Sequence, residues 1–271
     1  METPSDNTGD LVLTVLGSGT SAGVPTIGCK CHVCHSEDPR DNRLRPSVFV
    51  RFAGRVVVID TGPDFRAQVL RYGVDRLDAV LYTHAHADHI LGLDDTRPFN
   101  FRQGGAIPIY GSEHTINTIQ RVFSYIFSKD EHESWVPQIQ AHTVEPLETL
   151  SLFGREIQAI PLRHGRNLIT FGYRFGPLAY LTDHNEIPDE SLEQLQGLDT
   201  LFLDALRHKP HPTHSNVQKS LNYVEQLKPR QAFFTHISHD LPHARTEELL
   251  PPHVRLAYDG MQVRVEAARC V

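Results

Sequence analysis

Short runs of β-branched and aromatic residues, broken by turns, alternate with a few segments of helical spacing. Leu11–Leu16 reads as a strand entering the turn Gly17-Ser18-Gly19-Thr20, and Ser47–Phe52 and Arg55–Asp60 flank Ala53-Gly54 as a hairpin. Leu77–Thr83 and Ile107–Tyr110 are further strands. In the second half come Glu156–Leu162, Ile169–Phe175, Leu178–Thr182, Leu201–Asp204, Gln231–Thr235, Val254–Tyr258 and Gln262–Val265. Apolar residues recur at helical spacing over Glu113–Phe127, Phe65–Tyr72 forms a helix stopped by Gly73, and helices are expected at Asp189–Gln196, Asn216–Leu227 and near Ala244–Leu250. Both element types occur in both halves. The pattern predicts an α/β chain in which two sheets pack together with helices outside.

Composition narrows the function classes. The 271 residues carry a formal net charge of −7, which supplies no overall pull toward nucleic acid or an acidic membrane. No apolar run reaches the roughly 18 residues of a membrane span, and the polar stretch 1–10 does not read as a signal segment. Three of the four cysteines crowd into Cys29–Cys34, unlike a disulfide framework, so a reducing cytoplasm is expected. The outlier is histidine, with 17 copies.

The densest cluster is Thr83-His84-Ala85-His86-Ala87-Asp88-His89, directly after an apolar strand. In extended backbone, residues two apart point the same way, so His84 and His86 can face one metal ion. Asp88 and His89 can reach a second as the chain turns. Further ligands should sit at other strand ends, and His164, Asp183 and His236 each follow an apolar strand. Imidazole with carboxylate suits Zn, Mn or Fe. In the loop Cys29-Lys30-Cys31-His32-Val33-Cys34, three thiols are one ligand short of a tetrahedral zinc site.

The HxHxDH pattern with downstream His, Asp and His resembles the metallo-β-lactamase superfamily. The resemblance implies an αββα sandwich, two mixed sheets with helices on the outer faces, formed by a single domain over residues 11–271 with the metal site on one edge. It places His84, His86 and His164 on one ion, and Asp88, His89 and His236 on the other. Asp183 bridges both, and Asp60 orients a ligand histidine. Two such ions activate a water between them and clamp a phosphoryl or acyl oxygen.

The segments Gly17–Ser21, Gly23-Val24-Pro25 and Gly28 through Arg45-Pro46-Ser47 are similar to the PhnP-type branch of cyclic-phosphate phosphodiesterases. In that branch three cysteines and a histidine hold structural zinc, which implies Cys29, Cys31, Cys34 and His239 in a loop near 28–46. His32 and His35 are nearby competitors, and Cys270 is a bystander. The branch also places His214 at the active site, where it would protonate a leaving group; with Asp88 and Asp183 it forms the expected catalytic set. His211 has a weaker claim, and Asp204, ending its strand, could support His214 or the loop and is left unassigned. Arg40, Arg43 and Arg45 are candidates for phosphate contact. Pro98–Gly105 and Ser128–Gln138 are long enough to contribute to a lid. His184 stands where a smaller residue is expected.

The expected function is hydrolysis of a small, possibly cyclic, phosphodiester by two active-site divalent ions (Zn or Mn, with Fe as an option), beside one structural Zn. Partners are a small-molecule phosphodiester, no membrane, and an open option of a homodimer. A thioesterase or lactonase of the same fold is the alternative. A tRNA 3′-processing endonuclease fits less well, because His164 and Asp183 lie only 19 positions apart and leave no room for the long arm associated with those enzymes. A non-catalytic zinc-binding module would leave seven well-spaced ligands unused.

Overall fold

A computed structural model describes residues 10–128 and 135–266. In the first half, strands form at Leu11–Gly17 (β1), Ser47–Phe52 (β2), Arg55–Ile59 (β3), Ala79–Leu81 (β4), Ile107–Gly111 (β5) and Ile139–Thr143 (β6). The second half supplies Thr149–Leu152 (β7), Arg155–His164 (β8), Leu168–Phe175 (β9), Leu178–Leu181 (β10), Thr200–Asp204 (β11), Gln231–Thr235 (β12) and Val254–Leu256 (β13). Gln262–Val265 (β14) then returns to pair with β1. Two seven-stranded sheets result, ordered β14-β1-β2-β3-β4-β5-β6 and β13-β12-β11-β10-β9-β8-β7. Each is antiparallel over one part and parallel over the rest, the parallel parts being β3 to β6 and β10 to β13.

The two-residue period of the strands sorts their side chains between layers. Val57 and Ile59 of β3 and Phe202 of β11 join the core between the sheets. Val56 and Val58 face the other way, against helices Phe65–Arg71 (α1) and Glu113–Val122 (α4). On the outer face of the second sheet, Leu201 and Leu203 pack with Val217–Leu227 (α7) and Asp189–Gln194 (α6). Because both faces are covered, these strands read as continuous apolar runs. The arrangement is the αββα sandwich expected from the sequence. No helix among the described residues is long and apolar enough to cross a membrane.

Local differences have local causes. The strand expected over Leu77–Thr83 pairs only across β4. The backbone of Leu77 is bound at both its N–H and carbonyl by the Gln103 amide, and Thr83 N–H donates to the Asp60 carboxylate. The helix expected over Glu113–Phe127 breaks at Phe123 (φ −107°, ψ 42°) into α4 and a short turn. Arg97–Gln103 is a helix where a lid segment was expected, with proline tolerated in its first turn. The last helix runs over His243–Glu247 rather than Ala244–Leu250. Strands β6 and β7 have weak sequence signals and were not foreseen. Residues 129–134 of the second lid segment, Cys270, and nearly all of the polar stretch 1–10 lie outside the described residues.

The parallel strands of both sheets point their C-terminal ends at one edge, so the loops that follow them converge there. The approach is close at Gly62, just after β3, where a β-carbon would stand 2.1 Å from the carbonyl oxygen of Asp88. A Gly62→Ala substitution should therefore cost about 1–3 kcal/mol, as overpacking does. Urea denaturation reads this as a lower midpoint, and an unchanged midpoint would contradict the close packing.

Candidate metal centre and its neighbours

The segment after β4 carries the first ligand cluster to this edge. His86 stays extended (φ −68°, ψ 154°) and precedes the short helix Ala87–Ile90 (α2), which turns Asp88 and His89 inward. His164 is the last residue of β8 itself, which runs two residues past the end expected from the sequence. Asp183 follows β10 and His236 follows β12. Asp60, Asp183 and His236 all adopt positive φ (64°, 54° and 57°), a conformation that costs non-glycine residues about 1–3 kcal/mol. The turns at these strand ends aim their side chains at a common point.

Two ligand groups form. The donor atoms of His84, His86 and His164 lie within 4.8 Å of one another, and so do those of Asp88, His89, Asp183 and His236. His84 and His86 rings are 4.4 Å apart, and each is within 5.4 Å of the His164 ring. Asp183 approaches His236 Nε2 with one oxygen (3.2 Å) and His89 Nε2 with the other (3.4 Å). Asp88 lies 3.2 Å from His89 Nε2. All seven expected ligands are thus brought together.

Neighbouring groups fix which ring nitrogen faces the centre. His89 Nδ1 donates to Asp60 (2.7 Å), which also accepts from the backbone and hydroxyl of Thr83 (2.8 Å each). His164 Nδ1 donates to the Thr213 carbonyl (2.7 Å). Both histidines therefore present Nε2 to the site. The Nε2 atoms of His84, His89 and His236 are buried without a hydrogen-bond partner, an arrangement that costs free energy unless a cation satisfies them. Burial pushes the Asp183 carboxyl up, but the His236 and His89 imidazoles outweigh it and hold the group well below its ordinary value. Burial pushes His89 down, and the carboxylates of Asp183, Asp60 and Asp88 carry it well above. Imidazole nitrogens and ionised carboxylates converging on one buried volume fit divalent cations, which would take the place of the proton these carboxylates favour on His89.

His214 completes the picture. Its Nδ1 donates to Asp204 (2.7 Å), its ring stacks on His236 at 4.6 Å, and it meets the His164 ring at 4.8 Å. Asp204, which the sequence left open between supporting His214 and the loop, is fully buried and also accepts from the His184 backbone N–H. His184 turns away from the ligand groups toward Ser215 and Tyr223, and burial pushes it down to about 4. His211 lies 5.2 Å from the His214 ring and joins no ligand group.

A separate cluster forms beside this edge. The sulfurs of Cys29, Cys31 and Cys34 lie 3.2, 3.6 and 3.4 Å from His239 Nδ1. The Cys34 backbone N–H lowers the Cys31 thiol to about 6, whereas burial raises Cys34 to about 11. His32 and His35 are exposed and stand outside the group.

The three arginines considered for phosphate are committed elsewhere. Arg40 pairs with Asp38 (2.6 Å) and Arg45 with Asp64 (2.9 Å). Arg43 is buried and donates to Ser18, the Ala257 carbonyl and His243. Each side chain braces the loop that contains it, so that expectation is corrected.

A Beta-lactamase superfamily domain matches residues 55–237. Among solved structures, a diphosphatase from the PhnP family is 53% identical, with a TM-score of 0.89 over 95% of this chain and 98% of that one. An octanoyltransferase of Porphyromonas gingivalis is 36% identical over 93% of this chain, and a ribonuclease Z of Bradyrhizobium diazoefficiens is 29% identical over 58%. The chain spans about half the length of these curated relatives. Fold, ligand clusters and sequence therefore agree that the chain belongs to the β-lactamase superfamily of metallo-β-lactamase-fold hydrolases, as a relative of the PhnP family.

Proposed function

We propose that the protein is a metal-dependent phosphodiesterase that hydrolyses a small molecule at a phosphorus bearing two ester or anhydride oxygens. The observation that carries this reading is the placement of a histidine with a buried carboxylate partner, His214 on Asp204, directly against the two ligand groups. The diphosphatase named among the similar structures supports phosphorus over carbon as the reacting centre. His84, His86 and His164 would hold one ion, Asp88, His89 and His236 the other, and Asp183 both. Two divalent ions bound there would supply a water of lowered pKa and positive charge for the phosphoryl oxygens.

The chain's own residues do the rest. Asp60 and the Thr213 carbonyl lock the tautomers of His89 and His164, so the ligand geometry is set before substrate arrives. With Nδ1 held by Asp204, His214 has only Nε2 free to give a proton to the leaving-group oxygen. Cys29, Cys31, Cys34 and His239 would hold a zinc that anchors the loop near 28–46 three residues after His236.

The reading is tested with bis-p-nitrophenyl phosphate and protein reconstituted with Mn or Zn. Asp183→Ala should abolish turnover and lower metal content; unchanged turnover would remove the bridging role. Turnover of acyl thioesters in place of phosphodiesters would shift the function to the acyl alternative, which the octanoyltransferase relative also brings to mind.

For His214→Ala, turnover of diesters with alkyl leaving groups should fall by roughly 10²–10⁴. The fall should be smaller for p-nitrophenolate, which leaves without a proton, and metal content should hold. Metal loss would instead make His214 a ligand, for which it is also close enough. Cys31→Ser should lose one equivalent of zinc and unfold at lower urea while the active-site pair stays. A variant that keeps all its zinc would contradict the cysteine site.

A further inference from the structure

Beside the ligand groups, on the same edge, lies an open cleft of about 600 Å³ that the proposed chemistry does not use. Its size falls within the range of small-molecule sites. Val144, Pro146, Leu168, Ile169 and Phe171 supply apolar walls, Glu113 and Glu145 add carboxylates, and no lysine or arginine among the described residues lines it.

Two contacts join the cleft to the His84, His86 and His164 group. Leu168 is the cross-strand partner of His164 in the β8–β9 hairpin, so the two side chains share a face at a spacing of roughly 5 Å. Phe171 N–H donates to the carbonyl of Thr83 (2.8 Å), the residue before His84. His214 sits against His164 and His236 and does not itself line the cleft. A phosphorus held at the ligand groups therefore adjoins both the proton donor and the cleft, which are lined by different residues.

We propose that the cleft is the specificity site for the substituent that remains on phosphorus, and that it takes an uncharged ring, such as an aryl group or a nucleoside base. The apolar walls match a ring's faces, and the glutamates can accept from hydrogen-bond donors on its edge. The same carboxylates, with His114 the one other titratable side chain among the described lining residues, disfavour a second phosphate. The inference rests on the phosphodiesterase reading and adds the class of substrate.

The test compares methyl p-nitrophenyl phosphate with phenyl p-nitrophenyl phosphate, which share a leaving group and differ only in the retained substituent. The native enzyme should favour the phenyl diester in kcat/KM by tenfold or more. Ile169 is 44% exposed on the cleft wall, a position where a larger side chain can be accepted. Ile169→Trp should fill the cleft and bring the ratio close to one, and Ile169→Ala should reduce it partway. Turnover of both diesters at equal efficiency, or a ratio unmoved in both variants, would overturn the specificity site and leave the phosphodiesterase reading standing. Turnover of neither diester by the native enzyme would overturn the phosphodiesterase reading, and the specificity site with it.

Discussion

One buried carboxylate organises the edge where the two sheets meet. Asp60 ends the strand beside β4 and is fully enclosed, so its charge is tolerable only if donors surround it. It receives them from the backbone and hydroxyl of Thr83 and from His89 Nδ1. Those bonds end β4, fix the start of the HxHxDH segment, and turn His89 Nε2 inward. Burial still raises the Asp60 pKa against these donors, which leaves its charge dependent on their staying in place. An Asp60 unable to accept would release both the loop and the ring it holds.

The second sheet answers with a similar device. Asp183 and His236 leave their strands through left-handed turns, and Asp204 ends β11 with its carboxylate on His214. The cysteine loop is tied into the same edge. Ile237, between His236 and His239, exchanges backbone hydrogen bonds with Ser18 and Thr20 beyond β1. A β-carbon at Gly17 would stand 1.9 Å from the Arg45 carbonyl oxygen, so the glycines of that turn allow the loop to lie against the strand. The cysteine cluster and the His/Asp groups are therefore parts of one braced edge.

Much of this was legible in the sequence because strands buried on both faces write long apolar runs, and ligands following such runs have few other uses. The grouping of His164, Asp183 and His236 with the HxHxDH segment follows from that logic. Strand β6 was not legible, since half-exposed Ile139-Gln140-Ala141-His142-Thr143 carries little apolar contrast. Strand ends set by side-chain partners, such as Gln103 on Leu77, lie beyond any periodicity. For Asp204 the sequence left two options open, support of His214 or of the loop, and the fold brings it to His214. The arginines near the cysteine loop had the right chemistry for phosphate, but the groups that hold Arg43 (Ser18 and His243) and Arg45 (Asp64) come together only in three dimensions.

The central claim is that convergent strand ends build a two-ion site next to a separate cysteine-held zinc. Anomalous diffraction from crystals of protein purified without chelator tests it most directly. The account predicts two peaks among His84, His86, Asp88, His89, His164, Asp183 and His236, and a third among Cys29, Cys31, Cys34 and His239. A cysteine-site peak with no ion among the histidines and aspartates would contradict it.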